Sequence, residues 1–135
     1  MSTHPRDGGN AFMETDYVIG ANTLTPSFAS KWLNGISPTA PEVNPLYRQK
    51  EEIQGLNPQL ILVGAGEFAL QEAKDWASLC KKTGVHHRIV IEWGQLHVYA
   101  LGSAWVEPSA RRRTDLIIIN WMQGCLAASR EAVER

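Results

Sequence analysis

An excess of charge of either sign is missing from this 135-residue chain: 13 Lys and Arg face 14 Asp and Glu, for a net charge of −1. That balance removes the basic footprint of a typical nucleic-acid binder. Long apolar runs are missing too. None exceeds four residues, against the ~20 that a membrane helix needs. The opening MSTHPRDGGN holds no apolar stretch resembling a signal peptide. Cysteine is scarce. Cys80 and Cys125 give no disulfide framework and no metal-ligand pattern, and both read as small buried apolar residues in helical stretches. What remains is 44% hydrophobic, ordinary for a folded chain and long enough for one domain. The reading is a soluble, cytoplasmic protein.

The chain is uneven along its length. Residues 1–58 hold six of the seven prolines and show no long apolar period. Within them, Thr25–Leu33 reads as a short helix, with Thr25 as N-cap, Pro26 at the first position, and Phe28 and Trp32 on one face. Thr39–Pro45 reads as loop, and Leu46–Gly55 as one or two helical turns ended by Gly55. A segment so rich in loops rarely makes a core of its own.

From Gln59 the pattern sharpens. The run LILVGAG predicts a strand buried on both faces. Phe68–Thr83 has a helical period, with Ala69, Ala73, Trp76, Ala77 and Cys80 on one face and Gly84 as a left-handed cap. Arg88–Trp93 is a second strand, rich in β-branched residues. GQLHVYALG follows as loop. Glu107–Pro108 opens a helix running from Ser109 to about Ser129, with Leu116, Ile119, Trp121, Met122 and Leu126 inside it. Strand–helix–strand–loop–helix predicts a parallel pair with a right-handed crossover, hence an α/β class. Parallel sheets are covered on both faces and normally carry more strands than two. The expectation is therefore the end of an α/β domain.

Three constellations are candidates for chemistry. Gly64-Ala65-Gly66-Glu67-Phe68-Ala69 is a G-x-G-x-x-A between strand and helix, with Glu92 28 residues after Gly64. It approaches a dinucleotide fingerprint, in which backbone amides meet a pyrophosphate and the acid binds a ribose hydroxyl. Against it, Glu67 places a negative charge at the mouth of a phosphate site, and a plain strand-to-helix turn uses glycine in the same way. The second constellation is Glu67 with His97. Each follows the carboxyl end of a strand, the edge where active sites of parallel sheets gather. Adjacent strands lie ~4.8 Å apart, so two such loops can bring a carboxylate to an imidazole. The carboxylate fixes the tautomer and stabilises the imidazolium, which is the acid–base half of a nucleophilic triad. The third is His86-His87. Neighbouring strand residues point to opposite faces, so the two share no metal, and no metal or cofactor is expected. The Arg111–Arg113 run opens the last helix, where positive charge opposes the dipole, and reads as a solvated face.

From Asn44 onward the order of these features resembles the C-terminal part of the α/β-hydrolase fold-3 family, the hormone-sensitive-lipase-like esterases. Asn44-Pro45-Leu46 resembles the family's Ser-Pro-Leu. Leu56-Asn57-Pro58 before LILVGAGE resembles its Leu-Pro-Pro lead into the strand that carries the acid. Glu67-Phe68-Ala69-Leu70-Gln71 falls on its D-P-L-R-D motif, Gly84-Val85 on the turn before the last strand, and Gly94-Gln95-Leu96-His97-Val98-Tyr99 on its G-x-x-H-x-F. Tyr17–Gly35 loosely resembles the stretch that precedes Ser-Pro-Leu. The resemblance implies a partial α/β-hydrolase fold, residues 1–43 being a loop-rich lead and residues 44–135 the C-terminal part of the domain. It implies Glu67 as triad acid and His97 as triad base. Trp93, Leu96 and Val98 read first as plain packing, with a place beside the acyl or alcohol pocket as the alternative.

The chain departs from the family in one respect that decides the chemistry. These esterases attack with a serine in G-x-S-x-G and hold the oxyanion with an H-G-G-G-type loop. Ser37 lies in Gly-Ile-Ser-Pro-Thr and Ser103 in Leu-Gly-Ser-Ala-Trp, and no HGG run is present. The expectation is a truncated or split esterase that is inactive alone, acts on a small-molecule ester only in a full-length context, and needs a protein partner or N-terminal half to complete its sheet. The alternatives are a dinucleotide-binding module using Gly64-Ala65-Gly66 and a non-catalytic interaction protein.

Overall fold

Gln59–Gly64 (β1) and His87–Glu92 (β2) run parallel, joined by the helix Leu70–Thr83 (α2). They belong to a computed structural model that describes residues 33–67, 69–95, 99–101 and 106–134. The predicted helix Thr25–Leu33 lies outside the described residues, apart from Leu33. Before β1 come a 3-10 turn, Pro45–Tyr47, and a short helix, Lys50–Gln54 (α1); after β2 come a second 3-10 turn, Tyr99–Leu101, and a long helix, Pro108–Val133 (α3). The chain divides into two compact units, Met1–His97 and Val98–Arg135.

In the first unit each element has a local cause. Asn44 starts the 3-10 turn: its Oδ1 accepts from the Leu46 N–H at 3.1 Å while its Nδ2 donates to the Pro38 carbonyl, also at 3.1 Å. At the start of α1, Glu52 reaches back to accept the Gln49 N–H at 3.0 Å, satisfying a donor that helix starts leave open. α2 ends as its sequence predicts. Gly84 adopts φ +78° and donates to the Lys81 carbonyl, and the next amide, Val85, reaches back to Cys80 at 2.9 Å. Glycine adopts that left-handed conformation without the Cβ penalty of other residues.

The core of this unit is small. Ile53 of α1, Cys80 of α2 and Val85 are buried together, with Trp76 and Leu79 packed against them. Ala77 and Cys80 are buried as the helical period predicts, and Thr83 joins them by donating its hydroxyl to the Leu79 and Cys80 carbonyls. β1 differs from its prediction. Only Val63 and Gly64 are buried, while Leu60, Ile61 and Leu62 are half-buried. The reason is the sheet's width: among the described residues it has two strands, so one edge of β1 has no strand beside it there.

The second unit is built on α3. Pro108 occupies the first turn, where a missing N–H costs nothing. Glu107 caps it, accepting from the Ser109 and Ala110 amides at 3.1 and 3.2 Å and from the Ser109 hydroxyl. The turn Tyr99–Leu101 contacts this helix, and Ala110 and Thr114 are its buried residues. α3 continues four residues past the predicted end. Leu116, Ile119, Met122, Leu126 and Val133 are exposed on it, Trp121 is half-buried, and Arg111, Arg112 and Arg113 are exposed.

Candidate active site at the carboxyl end of the strands

The strands end level, Gly64 of β1 pairing with Glu92 of β2. Beyond that pair the two exits stay tied. The Ala65 N–H donates to the Glu92 carbonyl at 2.9 Å, and the Gly66 N–H donates to the Gln95 carbonyl at 3.1 Å. The strand-to-helix turn then closes on itself, the Glu67 N–H donating to the Gly64 carbonyl and the Leu70 N–H to the Glu67 carbonyl. Glu67 sits in the middle of this turn, only 6% exposed. Glu67 is thus buried in a turn at the carboxyl end of the parallel pair.

His97 lies outside the described residues, as do Leu96, Val98, Phe68 and Ser103. The nearest described residue before the histidine is Gln95, the residue that accepts from Gly66. Trp93 is 84% exposed. It stands beside Gly94, whose φ of +74° turns the chain sharply after β2.

Glu67 also lines a cleft of about 230 Å³. Its other lining residues are Pro45 and Leu46 of the 3-10 turn, Ile61 and Leu62 of β1, Ala69 just before α2, and Glu72, Ala73 and Trp76 of α2. By helical period Glu72 falls off the apolar face formed by Ala69, Ala73, Trp76, Ala77 and Cys80. In the fold it is half-buried and shares the cleft with Glu67. Its one sequence signal is position: it falls in the first turn of a helix that directly follows the carboxyl end of a strand, where an acid also complements the helix dipole.

The same turn bears on the dinucleotide fingerprint. Glu92 does lie at the end of β2, as that motif asks. The amides that should cradle a pyrophosphate do not face outward, because those of Ala65 and Gly66 are already donated to Glu92 and Gln95. α2 begins only at Leu70, with no side-chain cap from Ala69. His87 Nδ1 lies 2.9 Å from the Val85 carbonyl, and His86 is exposed. Among the described residues no group of three or more His, Cys, Asp or Glu converges as a metal site, and no helix is long and apolar enough to cross a membrane.

Parallel strands joined by a helix, with an acid in the turn after the first, define a partial α/β-hydrolase fold. Solved structures that the chain resembles carry the point further. An esterase of the bacterial hormone-sensitive lipase family matches with a TM-score of 0.67 and 26% identity over 84% of this chain. The esterase EstE5, in a crystal soaked with ethyl alcohol, matches with a TM-score of 0.76 and 22% identity over 90%. EstE7, a hormone-sensitive lipase homologue from a metagenome library, matches at 0.69 and 20% over 88%. The chain spans only 36%, 39% and 41% of those three structures, respectively. It thus resembles a C-terminal portion of the hormone-sensitive-lipase-like esterases. No protein-family model and no curated protein matches it.

Proposed function

We propose that the chain supplies the acid and the histidine of a serine carboxylic-ester hydrolase. Glu67 is the orienting carboxylate. His97 is general base during attack on the ester carbonyl and general acid when the alcohol leaves. The serine and the oxyanion donors come from polypeptide outside these 135 residues. Residues 44–135 form the C-terminal part of the hydrolase domain and residues 1–43 lead into it. The reading is carried by one observation: the buried Glu67 follows a residue whose amide is bound to Gln95, two positions before His97. The likeness to esterase structures supports it.

Without a nucleophile, a carboxylate and an imidazole orient a proton transfer but form no acyl-enzyme. The purified chain is expected to leave p-nitrophenyl butyrate at its background rate. Adding an N-terminal hydrolase half that bears G-x-S-x-G, in trans or by fusion, is expected to restore turnover. In that assembly His97→Ala abolishes turnover and Glu67→Gln lowers it by up to about 10⁴-fold, the scale seen when a triad acid is neutralised. Rapid hydrolysis by the chain alone, lost in His97→Ala, overturns the proposal.

A further inference from the structure

Helix α3 is apolar along two sides. Ala110 and Thr114 are buried, and Ile117, Ile118, Trp121 and Cys125 are half-buried along one of them. Ile119, Met122, Leu126 and Val133 are exposed along the other. Spaced three, four and seven residues apart, these four follow a heptad, and Asp115 and Ser129 fall on the same repeat. At 3.6 residues per turn the six positions lie within about 80° of arc. Arg112 and Arg130 border the stripe, and both are exposed, as is Asp115. Single exposed apolar residues are ordinary on a protein surface, whereas a continuous stripe with a polar border marks a contact with another surface.

We propose that two copies of this chain pair through the stripe, their α3 helices antiparallel. The charges on it choose the direction. A parallel pair sets Asp115 against Asp115 and Arg130 against Arg130. A twofold axis close to Met122 instead sets Ile119 opposite Leu126 of the second copy and Asp115 opposite its Arg130, and the symmetry repeats both contacts. Val133 then meets Arg112 of the second copy, whose aliphatic stem offers apolar cover while its head stays in water. Asp115 and Arg130 of one chain are 15 residues apart, about 22 Å along the helix, so they reach each other only between copies. The pairing uses residues of α3 alone and is independent of the esterase reading.

The test is sedimentation of the full chain over a range of concentrations, where a monomer–dimer equilibrium is expected. Met122→Lys changes an exposed position and leaves the buried side of α3 intact. It is expected to give a monomer with an unchanged far-ultraviolet helical signal. Asp115→Arg and Arg130→Asp each set like charges against one another at both symmetric contacts, and each is expected to weaken the dimer about tenfold or more. Mixed together, these two variants are expected to form a heterodimer, because opposite charges then meet at both contacts. The double variant Asp115→Arg/Arg130→Asp is expected to dimerise like the unaltered chain. Cross-linking fixes the direction. With Cys125 replaced by serine, a chain bearing Ile119→Cys is expected to form a disulfide with a chain bearing Leu126→Cys, and neither with its own kind. A chain that stays monomeric, a dimer that survives Met122→Lys, charge variants that fail to rescue one another, or Ile119→Cys chains that cross-link to themselves overturn the proposal.

Discussion

The backbone amide of Gly66 donates to the carbonyl of Gln95 at 3.1 Å, across the exits of two strands. This one bond links the turn that buries Glu67 to the loop that leads to His97. It depends on Gly94, since that residue's φ of +74° directs the chain after β2. A Cβ at Gly94 meets nothing within 4 Å, so the conformation is set by backbone preference rather than by space.

Gly94→Val and Gly94→Asn should therefore separate. Left-handed backbone costs an ordinary L-residue about 1–2 kcal/mol, more for a β-branched one and less for asparagine. Urea unfolding is expected to show the larger loss for valine. Equal losses for the two variants remove the conformational explanation.

The small core makes Ile53 a sensitive position. It is fully buried against Cys80 and Val85, and removal of buried methylenes from such a site costs about 2–5 kcal/mol. Ile53→Ala is expected to destabilise the chain by that order in denaturant titration, and Ile53→Val by less. An Ile53→Ala loss within the range of surface substitutions, about ±0.5 kcal/mol, contradicts the packing described.

Glu107 gives a pH dependence whose sign is fixed. The Ser109 hydroxyl and then the Ser109 amide hold its carboxyl below the ordinary 4.5, helped by the Ala110 amide and the charge of Arg113. A carboxylate depressed on folding contributes fully above its unfolded value and loses that contribution as pH falls through the folded value. Helix α3 is expected to fray at its first turns on acidification, read as a loss of far-ultraviolet helical signal. In Glu107→Gln this part of the pH dependence disappears.

The two thiols should differ. Burial pushes the Cys80 thiol up and away from its reactive thiolate, whereas Cys125 is only half-buried on α3. Under native conditions a thiol reagent is expected to modify Cys125 alone, with Cys80 following only in denaturant. Prompt labelling of Cys80 in the folded chain contradicts its place in the core.

The sequence makes α2, β2 and the start of α3 legible because each carries a local signal: a helical period closed by Gly84, a β-branched run, and Glu107 before Pro108. Ala65 and Gly66 were ambiguous for a physical reason. The same glycine spacing serves a phosphate cradle and a tight turn, and only the carbonyls accepting their amides tell them apart. Two readings failed because they depend on neighbours. LILV looks like a strand covered on both faces, but its burial depends on the strands beside it. Glu72 looks solvated by helical period, but its exposure depends on the Pro45–Leu46 turn that packs on α2 and lines the same cleft. Glu67 was legible by its place after a strand, although its burial was not.

The register of the sheet has a kinetic consequence. Every pair, from Gln59–His87 to Gly64–Glu92, joins residues 28 apart. No pairing in the sheet is more local than another, so none can form early and wait for the rest. The first contact must close the whole 28-residue loop, at a length-dependent cost of ~3 kcal/mol of chain entropy at 25 °C, while each later pair closes almost none. Helix α2 lies inside that loop and shortens it, its 14 residues spanning only about 21 Å. The two strands should accordingly form as one event, gated by the helix between them, with substitutions in α2 slowing folding and those at the strand ends mainly speeding unfolding.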